Sequence, residues 1–151
     1  MPDESLLTPE VRAYAGRTSE PVRVRVSARA VRRAIETYGG RRREFAEGDE
    51  VPGIVTVALE AESEPIAMPE VLPRSLLISN EMSFERPLRL GEELTVRQRI
   101  ADISERLGGR FGYSIYVRSE TEFFDASGQL VASTARTMMQ YEHEARGEDG
   151  D

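Results

Sequence analysis

The chain has 151 residues, 39% hydrophobic and 31% charged, with a net charge of −7, one histidine and no cysteine. That length suits one domain with a full core, and the missing cysteines exclude disulfides, a thiolate nucleophile and cysteine-ligated zinc. The acid excess argues against general nucleic-acid binding, and a basic complement made entirely of arginine removes lysine Schiff-base chemistry, pyridoxal phosphate included.

The charge is uneven: residues 1–43 carry a net +5 and residues 44–151 a net −12. No apolar run approaches the roughly 18–20 residues of a membrane-spanning helix. The opening MPDESLLTPE lacks the basic and apolar regions of a signal peptide. These features together predict a cytoplasmic protein, and nothing in the sequence indicates a metal or cofactor.

In chain order, Thr8-Pro9-Glu10 reads as a helix start: a capping hydroxyl, a proline at the first helical position and an acid near the positive end of the helix dipole. Gly16 would end that helix, so residues 1–20 are expected to form a helical extension. Pro21 to Ser27 alternates strictly and predicts a strand with Val22, Val24 and Val26 inward. Ser27 then caps ARAVRRAIETY, where Val31, Ala34, Ile35 and Tyr38 recur at helical spacing before the stop at Gly39. TYGGRRREFAEGDEVPG follows, a polar, glycine-punctuated loop of the kind that often carries chemistry. Ile54 to Leu59 is a solid apolar run that periodicity alone assigns neither to helix nor to strand, and Pro65, Pro69 and Pro73 interrupt the segment after it.

From Leu76 onward the pattern is β. Ile78, Met82 and Phe84 alternate with Ser79, Glu81 and Ser83. Leu94 to Ile103 is a strand whose apolar phase slips between Ile100 and Ile103, as a bulge would cause. Arg106 to Arg110 is a hairpin loop, Phe111 to Phe123 a long strand, Asp125 to Gln129 a turn, and Val131 to Tyr141 the last strand. Residues 143–151 read as a disordered acidic tail. One buried helix followed by a long antiparallel meander predicts an α+β domain over residues 21–142, with the sheet wrapped around the helix.

The stretch MSFERPLRLGEELTVRQRIADISERLGGRFGYSIYVRSETEFFDASGQLVAST, Met82 to Thr134, resembles the MaoC-like dehydratase group of the hot-dog fold. The matching parts are Phe84, Arg86 to Leu90 with Gly91-Glu92 for RPLRxGD, the glycine-rich hairpin, and Asp125 to Val131 for DxxGxLV. In particular the chain resembles the fatty-acid-synthase-type N-terminal dehydratase domain of (3R)-hydroxyacyl-thioester dehydratases. The resemblance implies a hot-dog fold, an α+β layer with the segment from Ile54 as its central helix. It also implies paired domains with an acyl-CoA or acyl-carrier-protein thioester between them; in one branch two different chains pair and only one is catalytic.

Reversible hydration of an enoyl thioester needs a base to activate water, an acid to deliver the proton and a donor for the enolate oxygen. The family keeps an aspartate and a histidine in the loop before the central helix, approximately G-D-x-N-P-x-H. Here Gly48-Asp49 is followed by Glu50-Val51-Pro52, and the only histidine, His143, falls in the acidic tail. The catalytic pair is therefore not carried over, and no catalytic residue is assigned. Asp49 is a weak candidate, as are Glu60 and Glu62, for carboxylates beside the central helix activate water in hot-dog thioesterases. Asn80 shares a face with Ile78 and Met82 and is expected to need a polar partner. Val55, Leu59, Phe84 and Phe111 are the expected acyl-tunnel lining. Arg41, Arg42 and Arg43, with Arg29, Arg32 and Arg33, are candidates for coenzyme A phosphates or an acidic carrier protein.

Three functions fit. The first is a non-catalytic subunit of a heteromeric enoyl-thioester hydratase or dehydratase, paired with a catalytic hot-dog chain. The second is a homodimeric acyl-CoA-binding protein without chemistry, and the third a carboxylate-based thioesterase.

Overall fold

The structure is a computed structural model and describes residues 5–40, 43–108 and 111–142. The elements run α1 (Pro9–Arg12), β1 (Val22–Arg25), α2 (Ala28–Tyr38), β2 (Glu50–Val51), α3 (Val55–Glu60), β3 (Arg74–Phe84), β4 (Leu88–Arg89), β5 (Glu93–Arg106), β6 (Ser114–Phe124) and β7 (Leu130–Tyr141). Five strands form one antiparallel sheet in the order β1-β5-β6-β7-β3, and β2 pairs with β4 in a small ribbon.

Local chemistry sets the helix ends. Thr8 caps α1 by accepting from the Val11 amide, and Ser27 caps α2 by accepting from the Ala30 amide at 3.0 Å. Gly39 ends α2 with φ +86° while its amide returns to the Ile35 carbonyl. Ala30, Val31, Ala34 and Ile35 are buried as their spacing requires, but Tyr38 is 56% exposed. It lies in the last turn, where α2 leaves the sheet.

α3 resolves the ambiguous apolar run as a helix of six residues, with Val55, Thr56 and Leu59 buried. Thr56 is tolerated there because its hydroxyl donates to the Gly53 carbonyl at 3.0 Å. Val55 and Leu59 are each 0% exposed. Burying such side chains stabilises by roughly 1.5–3 kcal/mol apiece, which is what holds a helix too short to persist alone.

The two helices cover half of the sheet's inner face. Ala30, Val31 and Ile35 of α2 and Val55 and Leu59 of α3 pack with Leu94, Val96, Phe123 and Ala132 in one cluster. A second cluster covers the other half: Leu7, Val11 and Tyr14 from the N-terminal segment and Ile66, Met68, Val71 and Leu72 from the α3–β3 connection meet Ile100, Ile115 and Val117. That connection is tied down by Gln140, which accepts from the Val71 and Leu72 amides (2.8 and 3.1 Å) and donates to the Pro69 carbonyl (2.6 Å).

The β5–β6 register shifts between Ile100 and Asp102, at the phase slip visible in the sequence. A second shift, between Leu77 and Ser79 of β3, places Leu77 opposite Met138 and Asn80 opposite Arg136, so Leu77 joins Asn80, Met82 and Phe84 on the inner face. The outer face carries a chain of ion pairs: Arg97–Glu122 (2.9 Å), Arg99–Glu120 (2.6 Å), Arg118–Glu120 (3.3 Å) and Arg118–Glu81 (2.8 Å). Among the described residues no helix is long and apolar enough to cross a membrane.

Candidate functional site

The loop that precedes α3 folds around its own backbone. Asp49 accepts from the Ala46 amide at 2.8 Å, its amide donates to the Ala46 carbonyl, and Arg43 approaches its carboxylate at 3.5 Å. Arg43 also lies over the Phe45 ring, 4.3 Å from its centre. Glu50 pairs with Arg89 at 3.4 Å, across the β2–β4 ribbon. Asp49 is thus a turn-forming residue that faces its own loop. Arg41, Arg42 and His143 lie outside the described residues.

Of the expected tunnel residues, three come together and one does not. Phe84 lies on the head of α3, so close that a Cβ on Gly53 would stand 2.7 Å from its Cζ. Met82 follows on the same face, its sulfur 4.0 Å from the Thr56 hydroxyl. Val55 and Leu59 lie beneath, wholly enclosed, so in the single chain they line no space that water can enter. Phe111 is elsewhere: its ring packs on Tyr141, centroids 4.8 Å apart, and Tyr141 pairs with Arg74 while Phe84 pairs with Ala132. Nine strand steps put the two phenylalanines roughly 30 Å apart, which corrects the expectation of a shared lining.

A polar strip crosses the inner face between the two apolar clusters. Glu60, at the end of α3, accepts a 2.7 Å hydrogen bond from the Thr121 hydroxyl and stands 3.7 Å from the Arg136 guanidinium. Gln98 donates to the Ser63 hydroxyl at 2.8 Å, and Ser63 donates to the Glu60 carbonyl at 2.6 Å. The Glu60 side chain is only 14% exposed. Glu62 is exposed on another side of the segment and borders a groove against α2. The two carboxylates therefore do not act together. Thr121, Arg136, Gln98 and Ser63 were not legible as site residues, because their meeting depends on sheet register.

β3 forms one edge of the sheet and is exposed nearly throughout. Leu76, Leu77 and Ile78 are 43–49% exposed, and Met82 and Phe84 are more than a third exposed. Asn80 is also exposed, opposite Arg136 at the end of the polar strip. An apolar strand edge with one polar pair in its middle is a ready surface for another chain.

The motif that carried the resemblance is structural. Arg86 is clamped by both oxygens of Glu92, and Glu92 in turn accepts from the Arg89 amide at 3.1 Å. Arg86 also stands 3.9 Å from Asp125 in the β6–β7 turn. The hydrogen bond that Arg86 donates to Glu92 raises the Arg86 pKa above its ordinary value. Asp125 accepts from the Ser127 hydroxyl and from the Ser127 and Gln129 amides, and these bonds, the hydroxyl first, hold its carboxyl below the usual range. The motif thus fastens the exit of β3 to a turn on the neighbouring hairpin. Among the described residues no three His, Cys, Asp or Glu side chains gather as a metal site.

No curated protein matches the sequence. Solved structures similar to the chain include the HadBC (3R-hydroxyacyl-ACP dehydratase) complex of Mycobacterium tuberculosis, at 16% identity and a TM-score of 0.61 over 83% of this chain and 96% of that one. The MaoC-like dehydratase of Rhodospirillum rubrum is similar at 17% identity and 0.56, over 85% and 93%. The ChsH1-ChsH2 complex of M. tuberculosis is similar at 13% and 0.57, over 93% and 94%. At these identities the likeness shows the hot-dog fold. The family described as FAS1-like, dehydratase domain region matches residues 13–134, and the chain belongs to that family of hot-dog dehydratase domains.

Proposed function

We propose that this chain is the non-catalytic, acyl-tunnel-forming subunit of a heteromeric (R)-specific enoyl-thioester hydratase or 3-hydroxyacyl-thioester dehydratase. A second hot-dog chain supplies the aspartate and histidine. The observation that carries this reading is the loop before α3: its one motif-matching acid, Asp49, is spent on the loop's own turn, and the chain's only histidine follows β7. The exposed apolar edge of β3 supports the same reading, because a partner strand laid there would cover Leu77, Met82 and Phe84 and close the space over α3. Val55 and Leu59 would then support the tunnel wall from within the core. Two of the similar structures, HadBC and ChsH1-ChsH2, are complexes.

The test is reconstitution. The purified chain should show no hydration of crotonyl-CoA, and adding a hot-dog chain that carries the aspartate and histidine should give turnover. Hydratase activity of the isolated chain would overturn the reading. Tight acyl-CoA binding by a homodimer that captures no hot-dog partner would replace it with the binding-protein reading.

One observation favours a second reading, thioester hydrolysis by a carboxylate. Glu60 is largely enclosed on the inner face, with one oxygen held by Thr121 and the other without a partner among the described residues. Glu60→Gln should then abolish acyl-CoA hydrolysis by the isolated chain; hydrolysis that is absent from the start, or unchanged in the variant, rejects it.

A further inference from the structure

The polar strip stands apart from the other charged groups of the sheet. Arg97, Arg99 and Arg118 meet their glutamates on the outer face, whereas Arg136–Glu60 is, among the described residues, the one ion pair on the inner face. Register adds polar neighbours to it. Ser119 of β6 lies opposite Arg136 on one side and Asn80 of β3 on the other, so the three form a row across the strands. Apolar residues flank the row along β3: Met82 and Phe84 toward the head of α3, Leu77 beyond.

The row is short of hydrogen bonds. Arg136 has five N–H donors and meets only one oxygen of Glu60, at 3.7 Å. That same oxygen accepts from Thr121, so the second Glu60 oxygen accepts from nothing among the described residues. The Asn80 carboxamide has no hydrogen-bond partner there either. In the single chain the row is open to solvent, for Asn80 is exposed and the Arg136 side chain is 44% exposed. A partner strand laid on β3 would close it, and a wholly apolar chain passing over it would leave these donors unpaired. The row then needs one group that accepts from Arg136 or Asn80 and donates to the second oxygen of Glu60. A hydroxyl does both; a carboxylate would set another negative charge against Glu60.

We propose that Glu60, Arg136 and Asn80 form a specificity site for a hydroxyl group on the acyl chain, away from the carbons that are hydrated. The proposal rests on the reading of the chain as a tunnel-forming subunit, with the acyl chain lying along β3 over α3. From Phe84 to Asn80 is four strand steps, about 13 Å, which sets the apolar length that precedes the row.

The test pairs hexanoyl-, octanoyl- and decanoyl-CoA with their ω-hydroxy derivatives. Binding is measured by calorimetry, both on the purified chain and on its complex with a hot-dog partner that carries the aspartate and histidine. At the length that reaches the row, the hydroxylated thioester should bind roughly tenfold more tightly. Replacing the ion pair as a unit, Glu60→Met with Arg136→Met, should abolish that preference and strengthen binding of the plain thioester. Asn80→Leu, at an exposed position that does not endanger the fold, should cut the preference by about threefold. Arg97→Gln, on the outer face, should leave both affinities unchanged. Equal affinity within every pair overturns the proposal, because solvent then satisfies the row. A preference that survives both variants overturns it too, as does an equal loss for both thioesters. Absence of all acyl-CoA binding, alone and with the partner, overturns this proposal and the subunit reading together. A hydroxyl preference in a chain that never yields hydratase activity with the partner keeps the specificity site and rejects the subunit reading; reconstituted activity without a preference does the reverse.

Discussion

The two edges of the sheet differ in how they meet solvent. At one edge β1 is four residues long, with Arg23 and Arg25 exposed, and residues 16–19 continue the cover along β5. There the Gly16 and Ser19 amides donate to Ile100 and Gln98, and the Ser19 hydroxyl accepts from the Gln98 amide. At the other edge β3 runs eleven residues with five large apolar side chains exposed. Short, charged, covered edges resist pairing and long apolar ones invite it. On the proposed reading a partner would pair on the β3 side, and the β1 side would stay open to solvent.

The largest expected effect comes from placing charge on the open edge. Leu77→Lys with Met82→Lys should abolish pairing with a hot-dog partner or with a second copy, read by light scattering, while Arg23→Ser on β1 should change nothing. Assembly that survives the double substitution would remove β3 from the interface. Next in size is Gln140→Leu, which orphans two amides and a carbonyl at the entry to β3. Each orphaned buried group costs on the order of 1–3 kcal/mol, and a fall in urea midpoint corresponding to ~3 kcal/mol is expected. A smaller loss, about 1 kcal/mol, is expected from Gly53→Ala, because the added methyl must displace the Phe84 ring. That variant should also weaken partner binding, since Phe84 belongs to the edge.

Acid should loosen the far end of β3 through Asp125. Its carboxyl titrates below the ordinary value when folded, so its contribution is complete above the unfolded-state pKa and is lost as pH falls through the lower, folded one. The difference in melting temperature between wild type and Asp125→Ala should shrink as the pH is taken below about 4. A constant difference across that range would show that the turn's hydrogen bonds carry no charge dependence. Arg118→Gln, which frees Glu81 on β3, should cost only about 0.5 kcal/mol and less in high salt, because the pair is partly exposed.

Much of the fold was legible because apolar phase records burial. Val24, Val26, Val31 and Ile35 fall inside as their spacing demands, and the slip between Ile100 and Ile103 marks a real bulge. The irregularity in β3 left no such mark, because Leu76, Leu77 and Ile78 are all apolar and a shift of one residue changes nothing in the pattern. Composition alone left Ile54 to Leu59 undecided between helix and strand. The resemblance pointed to a helix, and tertiary burial makes it one. At the site, the loop's lack of a histidine could be read directly. The Glu60–Thr121–Arg136 cluster could not, since those residues are distant in sequence and meet only once the register of β6 and β7 is fixed. Phe111 misled for the same reason: aromatic character says that a residue will be covered, not by what.

The irregularity at Ile78 has a mechanical consequence. An extra residue in one strand bends it and steepens its local twist. Any strand that lies along β3 must turn at that point or give up hydrogen bonds on one side of it. For a partner laid on this edge the bend would act as a key: it would fix where along β3 that strand can sit and disfavour a straight strand of similar composition.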